Sequence, residues 1–280
     1  MSQLIQMNQR INAVETIKKI THATRLIAMS SHTRLAHKEP LLTHYKDQVN
    51  HLLRQLLSDD EWQETYFKLG TKDNRTLIIL IGSQKGFCGT FNVGLFKYFE
   101  LKFPELSKKT DIITIGKKAQ DYAQKKIGRP LETFNNLSST TLTNITDLLS
   151  SFVTNNAHNY KEIIVMSNTP KSFFSQKPTQ TMLLPMQPIE NVSTSLDAYT
   201  WPENQENILK MLTKLYLTVS IESLLFSSLA SEQASRFHSM DNATRNAEEL
   251  LETMQRDYNK LRQDKITKEL LELTSSFERQ

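Results

Sequence analysis

The sequence predicts an α/β protein: a long antiparallel coiled coil of N- and C-terminal helices, plus a central, mostly parallel α/β domain. Three observations carry that prediction. All seven glycines lie between Gly70 and Gly128, whereas Glu203 to Gln280 holds neither glycine nor proline, and the first 69 residues hold one helix breaker, Pro40. Both ends place apolar residues at alternating steps of three and four, the spacing of one helix face. The middle alternates short apolar runs with amphipathic stretches, as strands and crossover helices do. The expected divisions are an N-terminal coiled-coil helix at 1–69, an α/β domain at 70–202 and a C-terminal coiled-coil helix at 203–280.

In the first helix, Met7, Ile11 and Val14 are followed by Ile17, Ile20, Ala23 and Ile27. After Pro40 the alternation continues through Leu42, Tyr45, Val49, Leu52 and Leu56, a heptad seam narrower than the stripe of a helix lying on a globular core. The last segment carries Ala230, Ala234, Phe237, then Ala247, Leu251, Met254, Tyr258 and Leu261 on one face. Residues 1–57 are basic (Arg10, Lys18, Lys19, Arg25, Arg34 among others), and the last segment is acidic near its end, from Glu248 to Glu272. Opposite charge beside two apolar seams predicts that the seams face each other. A helix from Glu203 to Phe277 would span roughly 110 Å at ~1.5 Å per residue, so two helices packing separately on the middle domain are the weaker alternative. Apolar residues persist at the tip, in Ile266, Leu270, Leu271, Leu273 and Phe277, and apolar surface past the end of its helical partner calls for another cover.

In the middle, Thr76–Ile81 reads as a buried strand, followed by a glycine-rich turn at 82–89 and a helix from Phe91 to Phe103. Strand Asp111–Ile115, helix Lys117–Lys126, helix Ile145–Asn156 and strands Glu162–Ser167 and Thr181–Leu184 follow. This alternation predicts a Rossmann-like sheet with right-handed crossovers.

Composition narrows the function classes. The chain is 38% hydrophobic with a net charge of +4 and a mean hydropathy of −0.45. Its most apolar run, Thr76–Gly82, is far below the ~20 residues a bilayer span needs, and no charged region leads into an apolar stretch at the N-terminus, so neither membrane insertion nor a signal peptide is expected. The single cysteine, Cys88, excludes an internal disulfide and fits a reducing compartment. A mild positive charge does not argue for nucleic acid.

Catalytic and ligand signals are weak. A strand, a glycine turn and a helix can cradle a phosphate, but the phosphate loop ends in Gly-Lys-Ser/Thr, and here the order is Lys85-Gly86-Phe87-Cys88-Gly89-Thr90. A structural turn is expected, with a nucleotide-binding enzyme as the competing hypothesis. His37, His44 and His51 recur every seven residues, roughly 10 Å apart along a helix, too far to share one metal. No metal, no cofactor and no catalytic set is expected.

Four segments stand out as motifs: Ile17-Lys-Lys-Ile-Thr-His-Ala-Thr24, Lys85-Gly-Phe-Cys-Gly-Thr-Phe-Asn92, Leu229-Ala-Ser-Glu-Gln-Ala-Ser-Arg236 and Tyr258-Asn-Lys-Leu-Arg-Gln-Asp-Lys-Ile-Thr-Lys-Glu-Leu270. With the weaker Val165-Met-Ser-Asn168 and Leu183-Leu-Pro185, which fall in the same order, they resemble the gamma subunit of F-type ATP synthases across essentially the whole chain. The resemblance implies a central-stalk rotor, non-catalytic alone, that couples rotation of a membrane c-subunit ring to ATP synthesis or hydrolysis at the beta subunits. The implied partners are three alpha and three beta subunits, the epsilon subunit and the c ring, with a peripheral location at the cytoplasmic face of a bacterial plasma membrane. Matching the family's motifs, Arg236, Gln263, Thr267 and Glu269 would couple to the beta subunits, and Leu270, Leu273 and Phe277 would form the bearing tip. The chain departs from the family in His22 for a usual lysine, Thr24 for a usual methionine, Ser83-Gln84 for serine/threonine-aspartate, and Asp241 and Arg245 for a usual lysine and aspartate. These departures suggest a divergent branch, with a sodium-translocating or second complex as one alternative and a free-standing coiled-coil scaffold as another.

Overall fold

The computed structural model describes residues 2–56, 75–104, 109–185 and 205–277. Its elements are α1 (Ser2–Ala36), α2 (Glu39–Leu56), β1 (Thr76–Ile81), α3 (Phe91–Lys102), β2 (Thr110–Ile115), α4 (Lys117–Lys126), β3 (Glu132–Phe134), α5 (Leu142–Asn156), β4 (Glu162–Ser172), β5 (Ser175–Leu184) and α6 (Gln205–Phe277). The expected boundaries at 69/70 and 202/203 lie outside the described residues. The chain forms two compact units, Met1–Ala28 with Phe237–Gln280, and Met29–Arg236.

The first unit is an antiparallel helix pair. From Lys18 to Arg25 the partner on α6 moves back by the same seven residues, from Glu248 to Asp241. The inward face of α1 runs through Leu4, Met7, Ile11, Val14, Lys18, Thr21, Arg25 and Ala28, a strict three-four alternation; on α6 it is met by Thr244, Ala247, Leu251, Met254 and Tyr258. On α6 the expected Ala247, Leu251, Met254 and Tyr258 face the partner, while Leu261 is exposed; on α1 the expected Met7, Ile11 and Val14 do so, but the continuation through Ile17, Ile20, Ala23 and Ile27 does not. Ile17, Ile20 and Ile27 are 53, 61 and 67% exposed. They repeat the seam's spacing one residue early, which turns them about 100° around the helix. Beyond Val14 the true seam is polar, so hydrophobicity pointed at the wrong face.

The second unit holds a five-stranded sheet of order β3-β2-β1-β4-β5. The first four strands are parallel, with Ile78 opposite Ile112 and Ile164, and β5 runs antiparallel to β4 as a hairpin. β1 is buried almost throughout because both its faces are covered, as parallel strands require. One face sends Leu77, Ile79, Ile81 and Val165 against α5, α2 and the first part of α6, through Leu149, Leu53, Leu217 and Leu225. The other sends Ile78, Leu80 and Met166 against α3 and α4, through Leu95, Phe99 and Ala119. Gly82 ends β1 where α4 passes closely: a Cβ there would lie 2.9 Å from that of Ala119. The short strand β3 and the extension of β4 and β5 into a hairpin were not legible, since Glu132-Thr-Phe134 is too brief for a pattern. The seam expected through α2 is also corrected: Leu53 is buried in the α/β core with Leu42 packed against it, and Val49 is buried, while Tyr45 and Leu52 are exposed; the side chain of Leu56 lies outside the described residues.

Candidate functional site

Strand order reverses between β1 and β4, because α3 and α4 cover one face of the sheet and α5 the other. The crevice outside the strands' carboxyl ends at such a point is where α/β domains commonly take ligands. Here it holds the turn at 82–89 and the stretch of α6 up to Arg236. The turn is braced internally: the Ser83 N–H donates to Asn92 Oδ1 at 3.0 Å, Asn92 Nδ2 donates to Ser83 Oγ at 2.8 Å, and Ser83 Oγ donates to the Lys85 carbonyl at 2.8 Å. Asn168, in β4 just past its pairing with β1, donates to the Phe91 carbonyl at 3.1 Å.

Towards α6 the turn presents acceptors. Ser235 Oγ donates to the Cys88 carbonyl at 2.7 Å, and the Arg236 guanidinium donates to the carbonyls of Gly86 and Lys85, each at 3.4 Å. One turn earlier on α6, Glu232 Oε1 receives Arg236 Nη2 at 2.5 Å. Glu232 is 4% and Arg236 9% exposed. Burial pushes the Glu232 carboxyl above its ordinary range while Arg236 pulls it back. Burial likewise raises the Cys88 thiol. A phosphate loop works by aiming N–H groups at an anion; this turn aims carbonyls at a cation, and the cation is the chain's own arginine. The N–H of Lys117, at the start of α4, donates to Gln84 Oε1 at 3.3 Å, as does that of Asn136 at 2.9 Å. The geometry therefore favours the structural turn over a nucleotide site. Phe87 stands at φ 62° and is 74% exposed, held in that uncommon conformation by the bonds on either side.

A second polar cluster lies in the helix-pair unit. Asp241 receives Arg25 Nη1 on one carboxylate oxygen at 2.6 Å and Arg245 Nη2 on the other at 2.8 Å. The Arg25 hydrogen bond, with Arg245 assisting, holds the Asp241 carboxyl below its ordinary value. Arg25 Nη2 also lies 3.1 Å from His22 Nδ1. Thr21 meets Thr244 at 3.0 Å, and Lys18 meets Glu248 at 3.1 Å. A lysine at 241 would face Arg25, whereas aspartate binds it and its own helix neighbour together.

The residues expected from sequence fall into two groups. Arg236 is turned inward onto the 82–89 turn, where it positions backbone and has little surface to offer a partner. Gln263, Thr267 and Glu269 are exposed on α6, with Thr267 Oγ1 bonded to the Gln263 carbonyl and Glu269 paired to Lys265. Gln263, Thr267 and Leu270 share a helix face; Glu269 lies well around from it, at about 100° per residue. Leu270 and Leu273 are exposed, as are Ile266 and Leu271; the side chain of Phe277 lies outside the described residues. Ile266, Leu270 and Leu273 form a stripe set about 100° from the seam of Met254 and Tyr258, so the tip presents a face of its own. Sequence reasoning missed Glu232, Ser235 and Asn92, whose roles depend on which carbonyls they reach. Among the described residues no group of side chains suits a metal ion, and no helix is long and apolar enough to cross a membrane.

Comparison with known proteins agrees over the whole length. The family model described as ATP synthase matches residues 3–279. The ATP synthase gamma chain of Hyphomonas neptunium is 29% identical, and those of Amoebophilus asiaticus and Clostridium novyi are 28% identical; each alignment covers 99% of this chain and 98–99% of the relative. Among solved structures, the fold is similar to a chain of the Euglena gracilis mitochondrial ATP synthase rotor (TM-score 0.70, 17% identity, 95% of this chain and 99% of that one). It is also similar to a chain of the Tetrahymena thermophila central stalk and c-ring assembly (TM-score 0.64, 20% identity, 80% and 99%). With the family pattern running nearly from end to end and gamma chains matching at full length, the chain belongs to the ATP synthase family.

Proposed function

We propose that this chain is the central-stalk rotor, the gamma subunit, of an F-type ATP synthase. In that role it stands on a ring of c subunits beside epsilon and reaches into a ring of three alpha and three beta subunits. Ion flow turns the c ring and this chain with it, and different faces of the helix pair favour different beta conformations in turn. The coupling is differential contact, since an equilibrium shifts only by the difference in affinity for its states. The chain itself carries no catalytic group in this reading; chemistry belongs to the beta subunits. It is peripheral, at the cytoplasmic face of a bacterial plasma membrane, with Gln263, Thr267 and Glu269 touching the beta ring and the tip from Leu270 onward turning in an apolar sleeve.

The observation that supports it most is the apolar stripe near the end of α6. Ile266, Leu270 and Leu271 are exposed there, and non-directional apolar contact suits a surface that must turn against its cover. The test is co-expression with the alpha, beta and epsilon subunits of an F-type ATP synthase from the same organism, followed by purification and ATP hydrolysis coupled to ion pumping in vesicles. A stable complex whose pumping requires this chain is expected; a solitary homodimer would refute the reading.

A further inference from the structure

The contact between α6 and the glycine turn differs in kind from the rest of that helix's packing in the α/β unit. Leu217, Leu225 and Leu229 lie in the apolar core, where contacts resist separation but are non-directional. At the turn the contacts are directional: Ser235 donates to the Cys88 carbonyl, and Arg236 donates to those of Gly86 and Lys85. The turn cannot easily follow a sliding helix, because Ser83 and Asn92 tie it down and Phe87 sits at positive φ. Glu232 makes none of these bonds itself. Its carboxylate holds the Arg236 guanidinium in place from one turn away, and both groups are buried. A buried ion pair is a poor source of stability compared with apolar residues of the same volume, and its best-attested use is to specify one arrangement.

We propose that Glu232 is a positioning residue for rotary coupling: it holds Arg236 against the turn carbonyls so that the α/β domain and the 205–236 stretch of α6 rotate as one body. The proposal rests on the rotor reading above. Torque arriving at the domain then enters the helix through fixed hydrogen bonds, and loosening them lets the helix lag behind.

The test uses assembled complexes in vesicles, with ions pumped per ATP hydrolysed as the readout, normalised to assembled complex. Glu232→Gln is expected to lower that ratio at least threefold and to speed amide exchange at residues 85–89 of the full chain at least tenfold. Glu232→Asp is expected to recover part of both. An unchanged ratio in Glu232→Gln complexes overturns the proposal, even where thermal stability or yield falls, because a merely structural role would move only those. Should Glu232→Gln fail to assemble, Arg236→Lys takes its place: it keeps the charge opposite Glu232 but loses the fork that spans two carbonyls, and the same ratio decides. If the unmodified chain does not join alpha and beta subunits, the rotor reading fails first, and the proposal with it.

Discussion

Ile20 and Thr21 are neighbours with opposite surroundings, and exchanging either for aspartate separates the observed seam from the one hydrophobicity suggests. Thr21 is 9% exposed; its hydroxyl donates to the Lys18 carbonyl at 3.0 Å and lies 3.0 Å from the Thr244 hydroxyl, whose single proton is shared between Thr21 and the Met240 carbonyl at 2.7 Å. A carboxylate at 21 would find one hydroxyl proton already engaged. Removing a partner from a buried charge costs about 3–5 kcal/mol; Lys18 and Arg25 one turn away on the same helix offset part of that, leaving about 3 kcal/mol. For a unit of this size that lowers the melting temperature by about 10 °C or more. Ile20→Asp places the same charge in water and should stay within about 0.5 kcal/mol. Thermal melts of the isolated full-length chain, followed by circular dichroism at the helix band, give both numbers. Equal losses for the two variants, or a larger loss for Ile20→Asp, would refute the seam assignment.

Other outcomes follow from the same geometry. Gly116 has φ 86°, and a Cβ there would lie 2.5 Å from the Gly82 carbonyl, so Gly116→Ala should destabilise the α/β unit by about 2 kcal/mol or more, read from urea unfolding. Arg25 and Arg245 depress the Asp241 pKa; a depressed carboxylate contributes stability above its unfolded value near ~3.9, and that contribution is lost as pH falls through the folded value below it. Asp241→Asn should therefore be less stable than the parent at pH 7 and converge on it as the pH falls through the depressed value, and a gap that stays constant on acidification would contradict the pairing. Cys88 is buried and its thiol pKa is raised, so maleimide labelling at pH 7 should run at least tenfold slower in the folded chain than in urea, a generous lower bound given how little thiolate forms. Equal rates would mean that the turn opens freely.

Punctuation and period were legible because each acts locally. The absence of glycine and proline after Glu203 set one uninterrupted helix, and the apolar runs at 76–81, 111–115 and 162–167 set the parallel strands. The face of α1 was not legible, because Ile17, Ile20 and Ile27 imitate a seam that Lys18, Thr21 and Arg25 occupy. A polar side chain enters a seam only when a particular partner awaits it, and that partner is more than two hundred residues away. The same holds for the candidate site: the 82–89 turn was visible as a turn, but which way its carbonyls point was not.

The amino-acid sequence by itself determined the element types, the sheet's parallel class, the kinship with the ATP synthase family and the apolar stripe near the end of α6. These follow from spacing, breakers and motif order, which are properties of short stretches. Tertiary structure alone decided that Asp241 binds Arg25 and Arg245, that α2 buries Leu53 in the α/β core, and that Arg236, held by Glu232, closes on the glycine turn. Those outcomes depend on hydrogen-bond distance between groups far apart in the chain, and a distance of 3 Å leaves no trace in residue order.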